Sequence, residues 1–290
     1  MPKNKIGIGI ITCNRPHYFY ECIKSIDKNI VGPIVVVNDG KDLSEEIKEY
    51  LNTSNIHYIL NEKNLGVSKT KNKALKYLLE RDCEHIFVLE DDCIIVDNNV
   101  WSKYIKAYEV TGIPHFNYGP GSPWNRKQDD SSIIGDLSKR QLAKQNTPPN
   151  PKLTIQHKEG IVLCMYEHIV AMFTYFHNSI LKEVGLLDEE FYNAWEHVEH
   201  TYRIIKAGKY TPFWWFADIE GSENYIKEAE NEKANTSLAS NEEKFMKQVQ
   251  EGLQHFYKLH NTVPSYIRAE SKEEVIKTVK KIYDNRSKNI

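Results

Sequence analysis

Two groups of residues in this 290-residue chain have types and spacings suited to chemistry. The first is Glu90-Asp91-Asp92, three carboxylates set between the apolar runs Phe87–Leu89 and Ile94–Val96. Acids so placed repel one another, and burying any of them unpaired is costly. They suit a solvated turn that caps a following helix. They equally suit a site for a hard divalent cation, Mg2+ or Mn2+, which prefers oxygen ligands and often bridges phosphates. The second group is NAWEHVEHTYR, Asn193–Arg203. On a helix, Glu196, Glu199, His200 and Arg203 share one face through i,i+3 and i,i+4 spacing, with His197 about a quarter-turn away. The same letters fit a capping arrangement of Asn193 with Glu196 and a Glu199–Arg203 ion pair. They do not fit the HExxH order of a zinc protease.

The elements that must position these groups are legible in the hydrophobic pattern. Ile6–Thr12, Pro33–Asn38, Ile56–Leu60 and His85–Leu89 read as strands, the first an isoleucine-rich run of the buried kind. His17–Ile26, Leu43–Leu51 and Val67–Leu79 read as the helices between them. This alternation predicts a mostly parallel sheet flanked by helices on both faces. Ligands of such sheets bind beyond the carboxyl ends of the strands. Thr12–Arg15, Asn38-Asp39-Gly40 and Glu90–Asp92 all fall there. Tyr118–Pro151 is rich in Gly, Pro, Asn and Asp and reads as a long excursion. Asn178–Gly185 and Trp195–Ala207 read as further helices. The polar text after Asn241 reads as two helices separated around Pro264, with Phe245, Val249, Leu253, Phe256 and Leu259 at helical spacing.

The length suits one large domain or one domain with an appendage. A formal charge of −2 offers no general basic excess for nucleic acid. No apolar run approaches the ~20 residues that span a bilayer, and the N-terminus lacks a signal-peptide cleavage pattern. Five cysteines, an odd count without a CxxC pair, fit a reducing, cytoplasmic setting and not structural zinc.

Five ordered segments resemble the nucleotide-sugar glycosyltransferases of the A-type (GT-A) fold, family 2. GIITCNRPHYFYECIKSI is similar to that family's opening strand, nucleotide loop and first helix. VVVNDG is similar to its second strand, NEKNLGVSKTKNKAL to its Asn-x-Gly…Ala-Arg-Asn segment, and LEDD to its Asp-x-Asp metal motif. VGLLDEEFYNAWEHVEHTYRI is similar to its acceptor-side motif. The resemblance covers roughly Ile6 to Phe216. It implies a Rossmann-like sheet with a glycosyltransferase domain over 1–240, divided into a nucleotide-binding half (1–97) and an acceptor-binding half (98–240). A helical extension over 241–290 would follow.

The resemblance also implies site roles. Thr12, Asn14 and Arg15 line the nucleotide pocket with Asn64, and Asp39 accepts from the uracil ring N–H of a UDP-sugar. Lys71 stands where the family usually has Arg; it brings positive charge to a diphosphate without the bidentate fork. Asp92 ligates Mn2+ or Mg2+, and Glu90 touches ribose or a metal-bound water, with Asp91 in the variable position. A distal His255 or His260 would serve as a late metal ligand. Glu196 ranks first as the general base, His197 second because it takes the position that carries the base in several relatives, and Glu199 remains a third candidate. Trp195 and Tyr192 form an acceptor platform, whereas Trp214 and Trp215 belong to the core. The TPPNP and SPWNRKQ segments would form a lid.

The expected activity is inverting transfer of a sugar to an acceptor hydroxyl, on a glycan or cell-envelope polysaccharide. A phage-type enzyme acting on hydroxymethylated DNA bases is an alternative that the net charge disfavours. A sugar-nucleotide pyrophosphorylase is disfavoured because ITCNRPHYF lacks the Gly-rich opening loop of that class. A non-catalytic carbohydrate-binding domain would show no donor hydrolysis. The C-terminal helices offer a surface for a homo-oligomer.

Overall fold

The computed structural model describes residues 3–126, 147–229, 242–264, 269 and 271–287. Four parallel strands form the nucleotide half of the main sheet: β1 (Ile6–Thr12), β2 (Ile34–Asn38), β3 (His57–Leu60) and β4 (His85–Glu90). β1 and β2 are buried along their whole length, as strands covered on both faces must be. Between them run α1 (Pro16–Ser25), α2 (Glu45–Thr53) and α3 (Val67–Leu79). Pro16 opens α1 at a position that needs no N–H, and Ser44 caps α2 by accepting from the Ile47 N–H. The observed ends differ from the expected ones by at most two residues. α3 matches the reading residue for residue.

Gly7 and Gly9 let α3 lie close on β1. A Cβ on Gly7 would stand 2.7 Å from Cys83 Sγ, and one on Gly9 would stand 2.8 Å from the Ala74 Cβ. That close approach delivers Lys71, on the first turns of α3, to the carboxyl ends of β1 and β4.

After β4 come β5 (Cys93–Ile95), α4 (Val100–Thr111), β6 (His115–Asn117), β7 (Leu153–Gln156), β8 (Val162–Tyr166) and β9 (Phe173–His177). α5 (Asn178–Val184), α6 (Glu196–Lys206), β10 (Phe216–Ile219) and β11 (Ile226–Glu228) follow, then α7 (Glu242–His260) and α8 (Lys272–Ser287). The main sheet has the order β3-β2-β1-β4-β9-β6, with β9 antiparallel to both neighbours. β10-β8-β7 form a second, antiparallel sheet. β5 pairs with β11 directly after the carboxylates, and the Ala229 N–H bonds the Asp92 carbonyl at 2.7 Å.

The described ends of the Gly/Pro-rich excursion are tied to the body and to each other. Asn125 Nδ2 donates to the Gly119 and His168 carbonyls, and Arg126 pairs with Pro149 in an isolated bridge. Residues 127–146, which include the end of the expected lid, lie outside the described residues. The aromatic run YTPFWWF leads into β10. Trp215 is buried, and Trp214 Nε1 donates to the Pro264 carbonyl, so both tie the tail to the body. α8 contributes Val275, Val279 and Ile282 to the same core cluster as the sheet. α7 buries Phe256 and leaves Met246, Tyr257 and Leu259 exposed. Among the described residues, no helix is long and apolar enough to cross a membrane.

One buried carboxylate ties the second half together. Asp218 accepts from the Tyr104 hydroxyl (2.6 Å), the Ser222 hydroxyl (2.7 Å) and the N–H groups of Gly119 and Ile219 (2.8 Å each). Burial pushes its pKa up to about 6 against the pull of those four bonds. Asp218→Asn would aim amide hydrogens at two of these donors. Urea unfolding should show a loss of about 2–3 kcal/mol, the scale for leaving buried polar groups unsatisfied. A loss under about 0.5 kcal/mol would mean that the network does not hold this half in place.

Candidate active site

Three strand ends build one cavity. β1 ends in Thr12 and continues into Cys13, Asn14 and Arg15; β2 ends beside Asp39; β4 ends in Glu90, followed by Asp91 and Asp92. With Asn64 and Asn193 these residues, Asn14 excepted, line a cavity of about 170 Å3. Asn14 takes a left-handed backbone (φ 59°), and its side-chain oxygen accepts from the Lys41 N–H. Gly40 is required beside it, because a Cβ there would stand 2.7 Å from the Asn14 nitrogen.

Asp39 organises the opposite wall. Its Oδ1 accepts from Asn61 Nδ2 and the Leu65 N–H, both at 2.7 Å, and its Oδ2 from the Gly66 N–H at 2.9 Å. A carboxylate offers about four lone-pair sites, so one acceptor site on Oδ2 remains. Asn64 Nδ2 donates to the Asp39 carbonyl at 3.0 Å. The Tyr192 hydroxyl donates to Asn64 Oδ1. Asn61 was not singled out in the sequence. Its signal was its place, the first polar residue after β3, just as Asp39 follows β2.

The three acids have three different partners. Asp91 is buried; it accepts from the Thr12 hydroxyl at 2.8 Å and pairs with Arg15 Nη2. Burial pushes its pKa up to about 6, with Arg15 opposing and Asp92 reinforcing the rise. Arg15 Nη1 reaches Asp92 Oδ2 at 3.0 Å. Burial, then the neighbouring Glu90, raises the Asp92 pKa as well. Glu90 turns the other way, to Lys71 Nζ at 3.0 Å.

Lys71 is 4% exposed and also pairs with Glu196, at 3.4 Å. Burial alone would lower its pKa; Glu90 and Glu196 outweigh that and raise it. Burial would conversely raise Glu196, but His197 and Lys71 hold its carboxyl well below the usual carboxylate range. His197 Nδ1 lies 3.0 Å from Glu196 Oε1. Because an ionised carboxylate only accepts, Nδ1 carries a proton and Nε2 is the ring nitrogen left on the side away from Glu196.

α6 starts from an unusual cap. Trp195 sits in the left-handed region (φ 71°) and provides no side-chain cap, so the Asn193–Glu196 capping arrangement does not form. Asn193 instead donates to Gln248 Oε1 on α7. Trp195 Nε1 donates to the Val249 carbonyl at 3.0 Å and packs against Gly252, so its ring faces α7 and offers no open platform. Tyr192 is 39% exposed at the cavity lip, and its carbonyl accepts from the Val67 N–H that opens α3.

The shared face of α6 is turned inward. Glu199 binds Arg203 Nε and His260 Nε2, each at 3.0 Å, and His200 bonds the Gly185 carbonyl. Glu199 therefore stands apart from the cavity wall. His255 pairs with Asp188 at 2.9 Å. Both distal histidines clip α7 to the body, and neither pairs with Glu90, Asp91 or Asp92. The α7 contacts of Asn193, Trp195, Asp188 and Glu199 escaped the sequence reading because they join residues at least 54 positions apart.

Among the described residues, no three His, Cys, Asp or Glu side chains converge as a ready metal cage. A cation site completed by a phosphate ligand still fits. Asp92 Oδ1 is buried and has no hydrogen-bond partner. Among the described residues that line the cavity, Asp39, Glu90, Asp91 and Asp92 are four acids against one cation, Arg15, with Lys71 behind Glu90. The surplus negative charge and the orphaned oxygen suit a hard divalent ion.

The sequence model of glycosyl transferase family 2 matches residues 8–172. An uncharacterized glycosyltransferase, R363, of Acanthamoeba polyphaga mimivirus is 27% identical over 198 residues, covering 67% of this chain and 66% of that protein. The low-salt glycan biosynthesis hexosyltransferase Agl10 of Haloferax volcanii is 25% identical over 193 residues, covering 63% and 57%. The matched part thus spans less than two thirds of either curated relative. The crystal structure of GalNAc-T7 with UDP, GalNAc and Mn2+ superposes with a TM-score of 0.57 at 12% identity, over 97% of this chain and 54% of that one. This last likeness is one of fold, the GT-A arrangement of a mostly parallel sheet between helices.

The cavity contains its own reporter. Cys13 is the one cysteine that is not buried; Cys22, Cys83, Cys93 and Cys164 are. Burial and Asp39 raise its thiol pKa, and the thiolate is the reactive form. A maleimide should therefore modify one cysteine in the folded protein, faster as the pH rises above the ordinary thiol range. UDP with Mn2+ should slow the reaction roughly tenfold or more if it fills the cavity. Peptide mass mapping reads this out, and labelling at Cys13 that the nucleotide leaves untouched would place the nucleotide elsewhere.

Proposed function

This chain belongs to glycosyl transferase family 2, and from that premise we propose that it is a metal-dependent, inverting glycosyltransferase. It moves a sugar from a UDP-sugar to a hydroxyl of a glycan. The observation that carries this reading is a single cavity with two complementary vacancies. On one wall is the free acceptor site of Asp39; on the other is the unpartnered Oδ1 of Asp92.

Asp39 reads the base. With three of its lone-pair sites occupied, it has room for one ring N–H, which uracil supplies. A guanine edge presents two neighbouring N–H donors, of which Asp39 could meet only one. Asp92, with Glu90 beside it, would hold a divalent cation, which when bound supplies positive charge against the departing diphosphate. Lys71 pairs with Glu90 from within the protein, so it bears on that wall through Glu90 and does not itself line the cavity.

The acceptor hydroxyl attacks the anomeric carbon while the bond from that carbon to the diphosphate oxygen breaks. The hydroxyl proton needs a base. Glu196 ranks first on sequence, but its ion pair with Lys71 and its lowered pKa make it a weak one. We assign the role to His197, whose Nδ1–H is held by Glu196 and whose Nε2, when deprotonated, can take the proton; its ring lines a small pocket with Lys71, His115 and His200 beside the donor cavity and not the cavity wall itself. Glu196 is then the positioning residue, in the manner of a carboxylate that orients a catalytic imidazole. A glycan acceptor is supported by the glycan-biosynthesis relative and by the absence of a basic excess in this chain.

Two measurements test the reading. Calorimetry should show UDP binding at least ~10-fold tighter than GDP in Mn2+, with most of that affinity lost in EDTA or in Asp92→Asn. Equal affinity with and without metal would remove the cation from the site. For the base, His197→Ala should keep UDP affinity and lower kcat by a factor on the order of 100 or more. The acidic limb of the wild-type pH–rate profile should disappear with it. Near-normal turnover in His197→Ala, together with a collapse in Glu196→Gln, would return the role to Glu196.

A further inference from the structure

Arg15 is placed where a cation would be needed. Its guanidinium fork spans two carboxylates, with Nη2 on Asp91 Oδ1 and Nη1 on Asp92 Oδ2 at 3.0 Å. The arginine side chain is 20% exposed, against 1% for Asp91 and 17% for Asp92, so it covers them from the cavity side. The Thr12 hydroxyl donates to the other oxygen of Asp91. The only side-chain atom of the trio left buried without a partner is Asp92 Oδ1, on the carboxylate whose other oxygen Arg15 holds.

We infer that Arg15 is a resident counter-ion that competes with the divalent cation for Asp91 and Asp92. It makes metal binding depend on the nucleotide. Without a nucleotide, one guanidinium already neutralises part of the aspartate charge, and a divalent ion gains little by approaching. A diphosphate brings new negative charge into the cavity and offers the guanidinium a bidentate partner as good as the aspartates. Arg15 then yields Asp92, and both cations have anions to bind. The fork matters as well as the charge, since a lysine would meet the two carboxylates through one nitrogen where arginine gives each its own. The free energy that Arg15 withholds from the bare metal reappears as coupling between metal and nucleotide, because such coupling is reciprocal. This inference rests on the donor-site reading above and assigns to that site an order of binding.

The test is Mn2+ affinity measured by the electron paramagnetic resonance signal of the free aquo ion, on the intact chain, with and without UDP. Arg15→Gln should bind Mn2+ roughly tenfold or more tightly than wild type in the absence of UDP, since a competing charge has gone. The gain in Mn2+ affinity on adding UDP should shrink by at least the same factor. Arg15→Lys, which keeps the charge and loses the fork, should tighten Mn2+ by roughly threefold, and it carries the test should the glutamine variant not fold. Unchanged or weaker Mn2+ binding without UDP in both variants overturns the inference. So does a failure of Mn2+ to bind any of the three proteins. The donor reading fails separately: wild type would then bind Mn2+ but gain nothing from UDP, while the Arg15 variants still tighten.

Discussion

Lys71 is a buried ammonium between two carboxylates that come from opposite halves of the chain. Glu90 ends β4, on the nucleotide side; Glu196 opens α6, 106 positions later. Removing either acid would leave a charge in the interior with half its compensation, an expensive state. Both acids must therefore be delivered to within hydrogen-bond distance of one nitrogen, and much of the architecture serves that requirement. Gly7 and Gly9 admit α3 against β1, so that Lys71 reaches the strand ends. The Tyr192 carbonyl caps α3, so the segment that carries Glu196 is anchored to the helix that carries Lys71.

The same economy of charge extends along the cavity. Arg15 is to Asp91 and Asp92 what Lys71 is to Glu90 and Glu196. Two cations serve four acids, and Asp39 stands apart on hydrogen bonds alone. Burial raises Asp91 and Asp92, while ion pairing depresses Glu196. Carboxylates in one crevice are thus driven apart in proton affinity by their partners, and that separation gives them different tasks.

Helix α7 completes the site without entering it. His255 and His260 clip it to Asp188 and Glu199, and its Gln248 and Val249 hold Asn193 and Trp195. The strained turn at Trp195 is over-determined by these contacts, which is the condition under which a left-handed non-glycine residue persists. The direction of the Glu196 carboxylate depends on a helix that begins 46 residues further along the chain.

The sequence by itself determined the parallel half of the sheet and where its polar ends fall. Continuous apolar runs such as IGIGIIT belong to strands covered on both faces, and the first polar residues after them must lie at the crevice. That local rule suffices to place Thr12, Asp39 and Glu90–Asp92 together. The tertiary structure decided which charge meets which. Helical spacing put Glu199 and His200 beside Glu196, yet a face is only a direction, and this one turned inward against Arg203, His260 and the Gly185 carbonyl. Trp195 stood next to the acids and still packed on α7, because a residue at a left-handed turn points where the following helix leaves room. Periodicity depends on neighbours three or four positions away, whereas ion pairs such as Arg15–Asp92 and Lys71–Glu196 join residues 77 and 125 positions apart. Their partners are chosen by the packing of the whole chain, which no local pattern contains.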